Sequence, residues 1–267
     1  MRTLIIAILL TAASAVMMAL TFPWTRAPGP SPGGSAARAA EPPSCTSALT
    51  GRTIGLPATG AGFGTSQHLP ALPLAKGEYV ITIDDGPNPA TTPKLLDILG
   101  RYCVHATFML VGQKIEAHPE LVARIIGQGN GAGTHSYTHA NFAQLNDNGR
   151  RMEIALGNAA LVDALANARI PYHSSIFRFP GGPGVPNTPP AGWMATLTPL
   201  RLREVGWDWA GDDWSNAPAG ISYARLFRHS GDRAVILLHD GPEHTLELLP
   251  MVLAEIERRG GRIVTLR

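Results

Sequence analysis

The sequence predicts an α/β fold of parallel strands joined by crossover helices, built as a distorted, incomplete parallel (β/α) barrel. Short apolar runs alternate with helix-period segments from Tyr79 to the end of the chain, the pattern of consecutive βα units. The runs number about six or seven, which suits an unclosed barrel better than an open doubly wound sheet. Polar clusters stand where the runs end, as expected where strand C-termini form the active face. The 267 residues suffice for one sizeable core.

Tyr79 to Ile83 is an apolar run that ends in Asp84-Asp85-Gly86-Pro87, so it reads as a buried strand delivering two carboxylates into a turn. A helix follows from Thr92 to Arg101, with Thr92 as N-cap and Pro93 at its first position. Thr107 to Val111 is the second strand and Pro119 to Gln128 the second helix. Gly129 to Gly133 leads into a histidine pair, and Arg150 to Ala168 repeats apolar residues on a helical period. Ile176 to Phe179, Glu204 to Trp209, Ala234 to His239 and Arg262 to Leu266 are further strands, with a helix from Thr245 to Arg259 between the last two.

The N-terminus carries an address. No charge occurs in the 23 residues between Arg2 and Arg26, and the apolar run from Leu4 to Leu20 approaches the length of a bilayer span. Residues 1–25 are therefore expected to export the chain, as a signal peptide or as a membrane anchor through residues 3–25. From Arg26 to Pro43, 15 of 18 residues are Pro, Gly, Ala or Ser, a composition that buries too little apolar surface to offset ordering. This is a tether, followed by an extended pre-domain segment at 44–75 and a catalytic domain at 76–267. Cys45 and Cys103 would stand in a compartment where disulfides form, and either a bond between them or two free thiols is compatible with the sequence. A net charge of +2 and 16% charged residues give no basic field, so nucleic acid is not an expected partner.

Five segments carry chemistry. Adjacent carboxylates at a strand end diverge when the backbone turns, so Asp84 and Asp85 can take different tasks, one at a metal and one facing a water; a helix-capping turn is the alternative. His135 and His139 are four apart, a spacing that suits a divalent ion, and Asp85 would complete a two-histidine, one-carboxylate set with open positions. Zinc is the expected ion on ligand type. Arg178 ends a strand before Phe179-Pro180-Gly181 and can orient a carboxylate and keep it ionised, while the turn can present an amide to an oxyanion. His239 leaves the core at a strand end, suited to protonate a leaving amine, and Asp213 can hold its charged form. Trp207, Trp209 and Trp214 stand near Asp212 and Asp213, as sugar-facing walls or as core.

From Lys76 to Arg267 these segments resemble, in order, all five motifs of the polysaccharide deacetylases with a NodB-homology domain, carbohydrate esterase family 4. The resemblance implies a distorted parallel barrel and metal-assisted removal of acetyl groups from N-acetylglucosamine units of an oligo- or polysaccharide, whether chitooligosaccharide, peptidoglycan or exopolysaccharide. It implies Asp84 as general base, and Asp85, His135 and His139 as metal ligands. Arg178 then positions the base, the Gly181 amide contacts the oxyanion, and Asp213 tunes the acid. Trp214 and Leu237 become wall and floor of the acetyl pocket, and His239 the general acid. Three positions depart from the family pattern: Ala210 where an Asp is usual, Gly181 where an aromatic residue is common, and Ile83 where Phe is usual. They fall on the groove lining. A catalytically silent glycan-binding module and a hydrolase of non-sugar amides are the alternatives. The acetyl position attacked and the oligomeric state are not written in the motifs.

Overall fold

A computed structural model describes residues 45, 47–181, 188–215 and 217–267. The export segment at 1–25 and the tether at 26–43 lie outside the described residues. In chain order the elements are β1 (Thr50–Ile54), β2 (Glu78–Gly86), α1 (Thr92–Arg101), β3 (Thr107–Leu110), α2 (Gly112–Ala117), α3 (Pro119–Gly127), β4 (Gly131–Thr134) and α4 (Asp147–Asn167). They continue with β5 (Ile176–Phe177), α5 (Ala191–Leu197), β6 (Arg203–Glu204), β7 (Trp209–Ala210), α6 (Ala219–Leu226), β8 (Ala234–His239), α7 (His244–Arg258) and β9 (Arg262–Leu266).

The wall runs β7-β8-β2-β3-β4-β5-β6, and its strand pairs are all parallel. β9 joins the start of β2 and carries β1 on its other side. Alternation along the strands sorts the core. Val80, Met109, Ile176, Val205, Val235 and Val264 pack together inside the barrel. Ile81, Ile83, Phe108, Ile236 and Leu238 point outward against helix residues such as Leu95, Leu99, Val122, Leu249 and Val252. On the inward face, β2 therefore ends in Thr82 and Asp84, and β8 in Leu237 and His239.

The barrel is incomplete at one seam. The single strand expected from Glu204 to Trp209 is two: β6 pairs with β5 and β7 with β8. Between them the backbone groups are engaged elsewhere. Val205 and Gly206 carbonyls accept from the Arg178 guanidinium, both at 2.7 Å, and the Trp207 N–H donates to Gln67 Oε1 at 2.9 Å. A Cβ on Gly206 would lie 2.0 Å from that oxygen, so a side chain there would displace the Gln67 amide from Trp207. Gln67 belongs to the pre-domain segment, which fills the seam as a strap: Phe63 bridges Val205, and Asp208 Oδ1 accepts from the amide and hydroxyl of Thr65. A disulfide joins Cys45 to Cys103, with the Cα atoms 5.3 Å apart, and fixes the strap's far end to the turn after α1.

Local expectations shift in three places. The N-cap of α1 is Thr91, not Thr92, and neither hydroxyl caps the helix; both donate instead to the Asp240 carboxylate beyond β8. The expected strand from Ile176 to Phe179 ends at Phe177, because the next donor but one, the Phe179 N–H, turns to the Glu204 carboxylate at 3.1 Å. β4 is a fully buried Gly-Ala-Gly-Thr strand. A Cβ on Gly131 would meet the Leu266 carbonyl at 1.9 Å and one on Gly133 would meet Ile176 at 2.7 Å, so close packing selects glycine where a strand-former would be expected.

Candidate active site

The catalytic candidates gather at the C-terminal ends of β2, β4, β5 and β8. Asp84 and His239 are register partners on adjacent strands, which places their backbones about 4.8 Å apart. Asp84 is 2% exposed. Its Oδ1 accepts from Arg178 Nη1 at 2.6 Å, and the same nitrogen donates to Thr82 Oγ1 at 2.8 Å. Arg178 is fully buried, and with the two carbonyl contacts every arm of its guanidinium is engaged. Such a charge-assisted, geometrically fixed pair orients the carboxylate.

Asp85 diverges because its φ is 71°, a left-handed conformation that non-glycine residues rarely adopt. Lys114 Nζ donates to its carbonyl at 2.7 Å. Its Oδ1 lies 3.2 Å from His139 Nε2 and 3.7 Å from His135 Nε2, and is buried with no hydrogen-bond partner. One donor atom from each of these three residues falls within 4.8 Å of the others. Burial pushes the Asp85 carboxyl up, but the fields of His135, His139, His239 and Lys114 outweigh it and hold the group below the usual carboxylate range. At His135 burial wins over the neighbouring carboxylates and lowers the imidazole below its ordinary value. The neutral ring donates Nδ1–H to the Arg178 carbonyl at 2.8 Å, which leaves the Nε2 lone pair facing Asp85. An orphaned buried carboxylate oxygen, a neutral oriented imidazole and a second imidazole together fit a divalent cation. The histidines sit on an irregular loop: Ser136 and His139 have φ of 64° and 61°, and the loop folds so that the rings meet edge on, 4.9 Å between centroids.

Across the site, His239 Nδ1 donates to Asp213 Oδ1 at 2.8 Å, and the His239 N–H to Asp213 Oδ2 at 2.7 Å. Thr245 Oγ1 also donates to this fully buried carboxylate. Burial pulls the His239 imidazole down, but the hydrogen bond and charge of Asp213, with Asp84 and Asp85 beyond, raise it above its ordinary value. The Asp213 contact leaves Nε2 free for chemistry. Trp214, 55% exposed, stands edge-on to His239 at 5.4 Å. Leu237 is buried on the inward face two residues before it. Gly181 is the last described residue before 182–187, and among the described residues a Cβ there would touch Trp207, at 3.6 Å. The three tryptophans separate: Trp209 is core against Tyr79 and Phe227, whereas half-buried Trp207 lies under the Arg178 guanidinium, 5.6 Å from ring centroid to Cζ.

Three charged residues at this site were not singled out in the sequence. Glu153 of α4 accepts from the Tyr137 and Thr138 amides and the Thr138 hydroxyl. Lys114 is the Asp85 contact already noted. Glu204, buried behind Phe179, has its carboxyl pushed up to about 8 by burial, with the Arg178 charge and the Phe179 amide opposing and Asp84 reinforcing the shift. A Glu four residues inside a helical pattern carries no local signal of a loop it will reach.

Comparison with known proteins agrees with this geometry. The polysaccharide deacetylase family model matches residues 72–189. A peptidoglycan-N-acetylglucosamine deacetylase of Bacillus cereus is 30% identical over 198 residues, 73% of this chain and 68% of that protein. A chitooligosaccharide deacetylase of Bradyrhizobium is 27% identical over 197 residues, 68% of this chain and 86% of that one. The solved structure of a family 4 carbohydrate esterase from Streptomyces lividans, in complex with acetate, is 29% identical and aligns with a TM-score of 0.61 over 72% of this chain and 93% of the other. The fold and site thus define a hydrolase of the carbohydrate deacetylase class. The chain belongs to the polysaccharide deacetylase family.

Proposed function

We propose that this protein is a metal-dependent N-deacetylase acting on N-acetylglucosamine units of a glycan outside the cytoplasm, with peptidoglycan and chitin-type oligosaccharides as the substrates to test first. The observation that carries the reading is the pairing of Asp84 with His239 on adjacent strands, each held by its own buried partner. A base and an acid thus flank one open Asp85, His135 and His139 triad. Asp85, His135 and His139 would hold a divalent ion, zinc by ligand type, which would supply Lewis acidity toward the acetamide carbonyl and water.

The chain's own groups do the rest. Asp84, oriented by Arg178, takes a proton from the attacking water as the water oxygen bonds to the carbonyl carbon. The Gly181 amide steadies the developing oxyanion. His239, held by Asp213, passes a proton to the nitrogen as the C–N bond breaks, giving acetate and a free amine. Trp214 and Leu237 border the space for the acetyl methyl. Of the three departures, Ile83 is fully buried against the helices, whereas those at Gly181 and Ala210 bear on which glycan is chosen. The Cys45–Cys103 disulfide and the uncharged N-terminal segment support an exported protein, secreted or anchored.

The test is acetate release from chitooligosaccharides and peptidoglycan by zinc-loaded protein. Asp84→Asn is expected to lower turnover by about 10²–10⁴-fold, the range for loss of a general base, while zinc binding persists. Zinc-loaded wild type that binds glycan yet releases no acetate would instead identify a binding module.

A further inference from the structure

The loop that carries the two imidazoles is an irregular turn with two non-glycine residues in the left-handed region, Ser136 and His139. No strand or helix ladder fixes it. Its carbonyls at Ser136 and Tyr137 accept from the first amides of α2, Gly112 at 3.0 Å and Gln113 at 2.9 Å. The His139 N–H donates within the loop to Ser136 Oγ at 3.0 Å, and three other donors converge on one side chain of another element. Glu153 Oε2 accepts from the Tyr137 N–H at 3.0 Å and the Thr138 N–H at 2.8 Å, and Oε1 accepts from Thr138 Oγ1 at 2.8 Å. One helical turn further along α4, a Cβ on Gly157 would lie 2.7 Å from the Ser136 carbonyl. Helix α4 is therefore seated directly on the loop, and the Glu153 carboxylate bridges Tyr137 and Thr138, two of the three residues between the histidines.

We propose that Glu153 is a positioning residue for the metal centre: by gathering both central amides of the loop onto one carboxylate, it sets the spacing of His135 and His139 against Asp85, and with it the affinity for the ion. This rests on the reading of the triad as a metal site. Glu153 touches neither imidazole and acts through the backbone. Two amide bonds to a single charged acceptor are stronger than neutral ones and directional. Groups that orient metal ligands without binding the ion typically govern affinity by about 10–100-fold.

The experiment is a zinc competition titration of the full chain against a chromophoric chelator, paired with thermal unfolding of the metal-free protein. Wild type, Glu153→Ala, Glu153→Asp and Glu153→Gln are compared. Alanine leaves both amides without their acceptor and is expected to weaken zinc binding by about 10–100-fold. Aspartate keeps the charge but is one methylene short, and is expected to weaken it as well. Glutamine can still accept both amides through its oxygen and is expected to recover most of the affinity. A lowered melting temperature without loss of zinc affinity in folded Glu153→Ala, or in folded Glu153→Asp should alanine fail to fold, would make the residue merely structural and overturn the proposal. Wild type that takes up no zinc would remove the metal reading itself.

Discussion

Asp84 and Asp85 are neighbours in the chain with opposite surroundings, and the difference lies in one backbone angle. Asp84 continues the inward face of β2 to meet Arg178, while the left-handed Asp85 turns its oxygen to the imidazoles. At His239 the deciding partner is Asp213. Because the imidazole is raised above its ordinary value, it stays protonated to higher pH than a free histidine, and turnover that needs the acid falls as pH rises through that raised value. Asp213→Asn keeps an acceptor and removes the charge, so the alkaline limb of kcat/KM is expected to move down by roughly one pH unit or more. An unmoved limb in the pH–rate profile would exclude His239 as the titrating acid. Glu204 gives the opposite sign. Its folded carboxyl holds a proton to about 8, whereas the unfolded one releases it near about 4.3, so its ionisation costs stability progressively between these values and no further above them. Glu204→Gln still accepts the Phe179 amide and cannot ionise. Thermal unfolding should therefore show its advantage over wild type growing from pH 5 to pH 8 and then levelling; a pH-independent difference would contradict the buried, protonated state. The acids and histidines of the five segments were legible because their residue types are the chemistry. Glu153, Lys114 and Glu204 were not, since their partners are distant in sequence and only the fold brings them near.

At the scale of elements, the strands that end in functional residues were legible from apolar runs, and those that depend on close approach were not. β4 has no β-branched apolar residue because Leu266 and Ile176 leave no room for one. The split of β6 from β7 follows from Arg178 and Gln67 taking the backbone groups of residues 205–207, contacts that span 27 to 140 positions of sequence. The pre-domain segment looked like a lead-in and is part of the wall: β1 extends the sheet through β9, and residues 63–67 fill the seam. Its anchor is the Cys45–Cys103 bond, which closes a loop with a sequence separation of 58. In the chain-entropy model a loop of that length stabilises by about 4 kcal/mol. A Cys45→Ser/Cys103→Ser double variant is thus expected to lose roughly 2–5 kcal/mol in denaturant unfolding. Because the strap keeps its own hydrogen bonds to Asp208 and Trp207, kcat/KM at room temperature should stay close to wild type. Unchanged stability would mean that the bond constrains nothing the sheet does not already hold, and lost activity in folded protein would mean that the strap depends on it.

Over the whole molecule, strand ends contributed from residues 84 to 239 assemble a centre that the unfolded chain does not possess. Without an ion, that centre gathers two carboxylates and two imidazoles, with Asp85 Oδ1 buried and unpartnered. Leaving a buried charged acceptor unsatisfied costs the folded state about 1–3 kcal/mol or more. An ion that binds this arrangement and not the unfolded chain returns its binding free energy as stability, about 2.7 kcal/mol when its concentration is 100 times the dissociation constant. For a domain of this size that corresponds to a rise in Tm of roughly 5–10 °C. The expected result is a zinc-dependent Tm that chelation reverses. Asp85→Asn should lose the rise, because it removes a ligand charge. Asp84→Asn should retain it while losing turnover, because Asp84 is bound by Arg178 and serves the water. The two adjacent substitutions therefore separate ion binding from catalysis in one melting experiment. A wild type indifferent to zinc, or two variants that lose the rise equally, would show that the carboxylates do not divide the work as their backbone angles imply.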